Sequence, residues 1–291
     1  MAWRALGSCT IAAPSIRGVT LITRSTSWLR TFLIIFTGQA FSLLGSSAVN
    51  FALVWWITAE TGSATMLAYA SIAAILPQAL LGLAAGPFID RWDRRLTMIW
   101  SDLFIAGTSL ALIAMFASGN ASVATVVAII AARSIGAAFH TPASQAAVPM
   151  YVPAEHLTRV AGWNFFLGSG VAMAGPVLGA FLMGVAPMGA VIAVDVVGAL
   201  IAVGSLMLVR IPHPPRASDD PVTAGLVAEF VAGWRELLAH RGLLALALVL
   251  TVVTVLYMPI NALFPLMTGA HFNGDALAAS AVELAFGAGM L

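Results

Sequence analysis

The chain has 291 residues, of which 60% are hydrophobic and only 9% are charged, and its net charge is +1. A soluble domain carries roughly 25% charged residues, so this chain lacks the polar surface of a soluble protein. The composition therefore excludes a soluble globular protein and predicts an all-α integral membrane protein. The single cysteine, Cys9, excludes an intrachain disulfide.

The first 28 residues contain three arginines, several serines and threonines, and no acidic residue. This composition is typical of a disordered basic tail, or of a reading frame that starts upstream of the true start codon. A transit peptide is a third interpretation. None of these interpretations gives residues 1–28 a part in the function.

Hydrophobic runs long enough to cross a membrane begin near Leu29. A membrane-spanning helix needs about 20 apolar residues. The pattern predicts spans at residues 31–57, 66–89, 96–117, 121–141, 160–183, 188–209 and 243–263, and an eighth that starts near 276 and is cut off at Leu291. Residues 29–209 are thus expected to form a six-helix bundle, and residues 243–291 an incomplete second bundle. Residues 210–242 are expected to be a linker with a short amphipathic helix at about 221–240.

The arginines cluster at alternate ends of the predicted spans. The opposite ends, near Glu60, Asn120 and Pro187, carry no lysine or arginine. By the positive-inside rule, the N-terminus, the turn at residues 90–95 and the linker at residues 210–242 are cytoplasmic. Six spans, a long cytoplasmic connection and further spans form the layout of a six-plus-six transporter.

The turn between the second and third spans is densely charged. Between Gly86 and the start of the third span it holds five charged residues in six positions: Asp90, Arg91, Asp93, Arg94 and Arg95. These charges either form ion pairs that hold one conformation of a transporter and break in the other, or they only set the topology. Asp102, near the cytoplasmic start of the third span, is assigned to the charge network of this turn.

Further charged residues fall inside predicted spans, among them Glu283 in the partial eighth span, a candidate second acid within the membrane. Arg133 lies within the fourth span, and Asp195 lies about six residues, or roughly 9 Å of helix rise, inside the sixth. A charge within a span faces the bundle interior and has a partner, so Arg133 is predicted to be interior. Snorkelling to the interface is the alternative. Asp195 is predicted to be a proton or cation site, and a structural hydrogen bond to a neighbouring helix is the alternative.

Two helical faces have a distinctive composition. Polar residues share one face of the first span: Gln39, Ser42, Ser46 and Asn50. Because a polar stripe in lipid is costly, this face is expected either to line a substrate cavity or to form a polar helix–helix seam. Small residues share a face of the fifth span: Gly168, Ala172, Gly175 and Gly179. That spacing allows close helix packing, and Pro176 adds a bend.

Several of these motifs resemble those of the major facilitator superfamily, in the right order on the right helices. The turn resembles the family's loop motif at Gly86, Asp90, Arg91, Arg94 and Arg95. It departs from that motif at Asp93, where the family has a glycine. Arg133-Ser-Ile-Gly136 is similar to the fourth-helix motif, and Gly170 to Gly179 to the fifth-helix motif associated with antiporters, with Ala180 in place of its final glycine. Four stretches resemble, more closely, the macrolide-efflux branch of the drug:proton antiporters: residues 37–47, 51–56, 61–65 and 211–215.

The resemblance implies two six-helix bundles around a central cavity that opens to either side in turn. It implies export of amphipathic drugs against proton entry across the cytoplasmic (inner) membrane of a bacterium. It also implies that the turn residues stabilise the outward-facing state, that Arg133 takes part in proton coupling, and that the glycines of the fifth helix seal or bend it. The expected partners are an amphipathic small molecule, protons and the lipid bilayer.

Other classes of function find little support in the sequence. The five histidines show no metal-ligand spacing, and no nucleophile–base pair, phosphate loop or nucleotide motif is visible. An enzyme, a cofactor, a metal site and a nucleic-acid partner are therefore not predicted.

Two alternatives to drug efflux remain at this stage. One is the export of an endogenous product such as a siderophore. The other is a non-transporting membrane fragment that needs a partner chain, because Leu291 stops inside a hydrophobic run. That end leaves the chain about four and a half spans short of two six-helix bundles.

Overall fold

The computed structural model describes residues 27–211 and 226–290. Within these ranges the chain forms nine α-helices, a 3₁₀ turn at Ala154–His156 and no strand. The helices are α1 (Ser27–Thr61), α2 (Ala64–Arg91), α3 (Arg94–Ala117), α4 (Val123–Tyr151), α5 (Leu157–Val185), α6 (Met188–Leu208), α7 (Leu226–Ala239), α8 (Arg241–Ala270) and α9 (Ala276–Met290). The all-α prediction is confirmed. The predicted basic tail and much of the predicted linker lie outside the described residues.

Among the described residues, seven helices are long and apolar enough to cross a membrane, namely α1 to α6 and α8. The shorter apolar helix α9 covers the start of the eighth predicted span. Helix α7 lies within the region predicted to be a linker with an amphipathic helix. The observed spans therefore follow the hydropathy of the sequence closely.

Local capping chemistry sets the start of two central helices. The Asp93 carboxylate accepts hydrogen bonds from the backbone N–H groups of Arg95 and Leu96 at the start of α3. The φ angle of Asp93 is −66°, so this position needs no glycine. At the start of α4, the side chains of Ser122 and Thr125 form a reciprocal capping box. Both caps satisfy N–H groups that have no partner within the helix.

Helix α4 is longer than predicted, and the predicted end at residue 141 is wrong. The helix continues through Pro142 and Pro149 to Tyr151. Each proline removes one backbone hydrogen bond, but the added turns bury Ala143 and Ala147 against α2, α3 and α6. Tertiary packing therefore outweighs the local preference of proline to end a helix.

The helices α1 and α6 form the most extensive contact of the bundle, and their backbones nearly touch. A Cβ atom added at Gly198 on α6 would lie 2.6 Å from the backbone oxygen of Phe41 on α1. A Cβ added at Gly45 on α1 would lie 3.0 Å from the Cα of Asp195. Helix α3 packs on α6 and α4, and α2 packs on α4. This arrangement brings α1, α3, α4 and α6 together around one interior.

Two apolar layers enclose that interior. The turn-side core lies at the end of the bundle that carries the charged turn, and it includes Ile35, Ala85, Met98, Ala143, Ala147 and Leu206. The far-side core lies at the opposite end and includes Leu53, Leu67, Ala70, Leu112, Val126 and Ile192. Polar side chains of α1, α3, α4 and α6 lie between the two cores.

Candidate functional site

The centre of the polar layer is an ion pair between Arg133 on α4 and Asp195 on α6. The Nη1 atom of Arg133 lies 2.6 Å from Oδ2 of Asp195, and the aspartate is fully buried, at 0% exposure. Ser46 donates to Oδ1 of Asp195 at 2.5 Å, and Ser109 donates to Oδ2 at 2.5 Å. Arg133 also contacts the Ser109 hydroxyl. Helices α1, α3 and α4 thus all place a donor on one carboxylate.

The backbone contacts between α1 and α6 explain why these groups meet. Because Gly45 leaves room for the backbone at Asp195, the adjacent residue Ser46 reaches the carboxylate directly. Gly136, one turn beyond Arg133, allows a similar approach of α4 to α3, since an added Cβ would lie 2.8 Å from Ile105. The glycines hold the charged residues at hydrogen-bond distance.

A second carboxylate, Asp102 on α3, lies in the same layer. It is 3% exposed, and it accepts hydrogen bonds from Gln39 Nε2 at 3.3 Å and from Ser42 Oγ at 3.5 Å. His140 Nε2 lies 3.5 Å from its Oδ1. This placement corrects the expectation that Asp102 belongs to the charge network of the turn. Eight residues of helix, about 12 Å of rise, separate it from Arg94, and it faces α1 and α4.

The arginines of the turn bind backbone oxygens of two other helices, and Arg95 does so at a helix end. Arg94 donates to the backbone oxygen of Ala146 on α4 at 3.2 Å. Arg95 donates from Nε to the Leu206 oxygen at 2.7 Å and from Nη2 to the Met207 oxygen at 3.1 Å, near the end of α6. Carbonyl groups at a helix C-terminus lack partners within the helix and attract positive charge. Among the other predicted gating residues, Gly86 is exposed, and the side chains of Asp90 and Arg91 lie outside the described residues.

The small-residue face of α5 packs on α1 over only part of its length. A Cβ added at Gly175 would lie 2.1 Å from Ser47 Oγ, and one added at Gly179 would lie 2.5 Å from the backbone oxygen of Ala48. Pro176 between them is buried. Gly168, by contrast, has no neighbouring atom within 4 Å of an added Cβ. Among the described residues, Gly168 therefore makes no close contact with α1, although α5 also packs on α1 nearer its start, where Val160 and Phe32 share a core cluster.

Two cavities adjoin the polar layer. One, of about 350 Å³, is lined by Ser42, Ser46, Asn50, Asp102, Arg133 and His140 among others. The second, of about 400 Å³, lies between α1, α2, α5 and the helices α8 and α9, with Asn50, Phe264 and Glu283 in its wall. Three of the four residues predicted to line a cavity therefore do so, whereas Gln39 is buried beside Asp102.

The sequence interpretation did not assign a role to Ser109 or His140. Each lies seven residues after an assigned charged residue on the same helix, Ser109 after Asp102 and His140 after Arg133. Residues seven apart lie on nearly the same face of a helix. This spacing already places His140 on the face of Arg133 from the sequence, and the same spacing from Asp102 points to Ser109. Within the described residues, no cluster of three or more potential metal ligands occurs.

Comparison with known proteins relates this arrangement to a family. Residues 35–291 match the Major Facilitator Superfamily. The chain is 40% identical over 269 residues to Macrolide efflux protein A of Streptococcus pyogenes, an alignment that covers 91% of this chain and 65% of that protein. It is 41% identical over 234 residues to Macrolide efflux protein A of Enterococcus faecalis, with 79% and 71% covered.

A more distant relative is Multidrug efflux pump Tap of Mycobacterium bovis, which is 27% identical over 248 residues, with 80% of this chain and 57% of that protein covered. The chain thus spans less than two thirds of the length of the Streptococcus protein. Together with the all-α fold and its seven apolar spans, the family match over most of the chain leads to one assignment: this chain belongs to the Major Facilitator Superfamily.

Proposed function

We propose that the protein is a secondary active transporter that exports amphipathic, macrolide-like drugs in exchange for protons. Transport proceeds by alternating access, in which the cavity beside the polar layer opens to one side of the membrane at a time. The protein lies in the cytoplasmic membrane of a bacterium with its N-terminus in the cytoplasm, as the distribution of arginines indicates.

The observation that carries the proposal is the buried Arg133–Asp195 pair. Burying two charges costs several kcal/mol per ion, and an apolar pair of similar volume would often stabilise the fold equally well. A fully buried carboxylate with an arginine and two hydroxyl donors therefore points to a function that needs charge. Protonation of Asp195 would neutralise it and release Arg133 and Ser46, which changes the contacts between α1, α4 and α6.

The printed names of the relatives support drugs as the substrate class. The two proteins of about 40% identity are macrolide efflux proteins, and the more distant one is a multidrug efflux pump. The cavities suit an amphipathic molecule, since polar side chains line one of them and apolar side chains of α1, α8 and α9 line much of the other.

Transport into inverted membrane vesicles tests the proposal. The protein, expressed from its complete gene, should accumulate a radiolabelled macrolide in vesicles whose interior is acidified, and a protonophore should abolish that accumulation. Asp195→Asn should lose accumulation driven by the pH gradient and keep downhill exchange of the drug. Glu155→Gln is the matched control, because Glu155 lies in the exposed 3₁₀ turn.

The outcomes separate the parts of the proposal. No macrolide transport by the unmodified protein would contradict the proposed substrate class. Unchanged gradient-driven accumulation by Asp195→Asn would contradict the assignment of proton coupling to this carboxylate.

A further inference from the structure

The polar layer contains the same arrangement twice. In each copy, a buried carboxylate accepts a hydrogen bond from a serine of α1 and faces a basic side chain of α4. The first copy consists of Asp195, Ser46 and Arg133. The second consists of Asp102, Ser42 and His140. The serines are four residues apart and the basic residues seven apart, so each pair lies on one face of its helix.

The two copies differ in the chemistry of the basic group. The guanidinium of Arg133 stays charged at any pH that a protein meets. An imidazole, in contrast, can carry a charge or be neutral, so the basic group of the second copy, His140, has no fixed charge. The first copy is therefore a permanent ion pair as long as Asp195 is ionised, whereas the second becomes one only when His140 is protonated.

In the second copy, some buried polar atoms lack a hydrogen-bond partner within the described part of the chain. Nε2 of His140 and Oε1 of Gln39 are both buried and make no hydrogen bond among the described residues. Asp102 meanwhile holds two rather long hydrogen bonds from neutral donors, at 3.3 and 3.5 Å. A buried carboxylate without a cation is costly. A proton on Nε2, which faces Oδ1 of Asp102 at 3.5 Å, would supply both a donor and a positive charge.

The two copies also differ in whether their carboxylate borders the cavity. Asp102 and His140 both line the cavity of about 350 Å³. Asp195 has no exposed surface and lies behind Arg133 and Ser46, which do line that cavity. A proton that enters the cavity can reach His140 without displacing any hydrogen bond of the Arg133–Asp195 pair.

Few other charges face His140. Among the described residues around the cavity, α3 contributes Asp102 and α4 contributes Arg133, with Asp195 of α6 behind it. Helices α1 and α2 contribute the neutral side chains Ser42 and Gln78, and α5 contributes Val171. Arg94 belongs to α3, and its side chain contacts α4 at Ala146, which lies farther along that helix than His140. Asp102 is therefore the nearest charge to His140.

We propose that His140 and Asp102 form a second proton-binding site, with the proton on Nε2 of His140, distinct from the Arg133–Asp195 pair. Its participation in energy coupling rests on the proposed proton-coupled efflux, whereas its ability to bind a proton does not. In the transport cycle, this site takes up a proton from the cavity while the Arg133–Asp195 pair remains closed.

Nuclear magnetic resonance of the full protein, labelled at the histidine ring nitrogens and held in lipid nanodiscs, tests the site directly. The signal that disappears in His140→Gln identifies His140. That signal should change when the pH is varied from about 5 to 8, the range in which imidazoles take up protons, and the change should be smaller or displaced in Asp102→Asn, which removes the facing negative charge. His156, in the exposed 3₁₀ turn, is the internal control, and its titration should not change in Asp102→Asn. A His140 signal that is constant over this range, or insensitive to Asp102→Asn, would overturn the proposal.

Transport measurements then test the role of the site. His140→Arg gives the second copy the same fixed charge as the first, so the dependence of drug efflux on cavity-side pH should become at least several-fold flatter than in the unmodified protein. His140→Gln, which removes the charge, should flatten it as well. An unchanged pH profile in both variants would refute the coupling role. Absence of efflux by the unmodified protein would refute the proposed function, and the resonance titration would still decide whether the proton site exists.

Discussion

At the scale of single residues, the Arg133–Asp195 pair places two opposite charges in contact inside the bundle. The carboxylate is fully buried, and every contact to it comes from another helix. In such a place, removal of one partner leaves the other charge without compensation, which is more costly than removal of both. The stability of the bundle should therefore depend on the balance of the two charges rather than on either side chain alone.

This argument predicts a non-additive pair of substitutions. Arg133→Ala should lower the free energy of unfolding by about 3–5 kcal/mol, because Asp195 then remains buried and unpaired. The double variant Arg133→Gln with Asp195→Asn should recover most of that loss, since no net charge is left inside. Thermal unfolding in detergent measures both variants.

Arg159→Ala is the matched control for this comparison, because Arg159 is exposed and its substitution should shift the unfolding midpoint very little. A double variant as unstable as Arg133→Ala would show that packing, and not charge balance, sets the cost.

At the scale of helices, glycines decide which faces come together. Gly198 and Gly45 bring α6 against α1, whereas Gly175 and Gly179 bring α5 against α1. The contacts at Gly198 and Gly179 are with backbone oxygens, which cannot move aside as a flexible side chain can. These positions fix the rotation of each helix, and hence the direction in which its polar residues point.

Two alanine substitutions on α5 separate close packing from helix propensity. Gly179→Ala would place a Cβ 2.5 Å from the Ala48 oxygen, and we expect a loss of about 1–3 kcal/mol from overpacking. Gly168→Ala has open space, so we expect no loss and up to about 1 kcal/mol gained from the higher helix propensity of alanine. Unfolding midpoints of the two variants, measured side by side, check this. Equal effects would contradict the packing argument.

At the scale of the whole molecule, the bundle is a polar layer between two apolar cores. Local opening of this bundle at one end requires the core at that end to separate while the other core stays packed. On the turn side, Arg95 joins the start of α3 to the carbonyl end of α6, and Arg94 joins it to the Ala146 oxygen of α4. These bonds cross between helices at one end only, so they resist opening at that end.

Removal of one of these arginines should open the turn-side end selectively. Hydrogen bonds to a charged donor contribute about 1.5–3 kcal/mol, so Arg95→Ala should increase opening at this end by roughly tenfold or more. In a Cys9→Ser background, the labelling rate of Ala147→Cys, in the buried turn-side core, reports that opening.

Two controls test whether the opening is confined to the turn-side end. Ala70→Cys lies in the far-side core and should be labelled no faster in Arg95→Ala. Arg30→Ala removes an exposed arginine of α1 and should not change labelling at either position. Faster labelling at both cores in Arg95→Ala would indicate general loosening instead of opening at one end.

The amino-acid sequence was sufficient to predict the membrane class, the positions of the spans and the location of Arg133 and Asp195 within them. These properties are local. A run of about 20 apolar residues has the length and composition of a membrane-spanning helix, and the number of residues from the end of a helix sets how far inside that helix a residue lies. The end of α4 was an exception, because burial of Ala143 and Ala147 prevailed over two prolines.

The pairing of the polar residues, in contrast, follows from how the helices pack and is not visible in the sequence. Asp102 faces Gln39 and His140, and Gly168 meets open space although α5 packs on α1 on both sides of it. These outcomes depend on the rotation and separation of whole helices, which arise from contacts between residues far apart in the chain. In a membrane, lipid is as apolar as another helix, so the hydropathy of a helix says little about how it is rotated. Close packing at glycines and hydrogen bonds between helices determine that rotation.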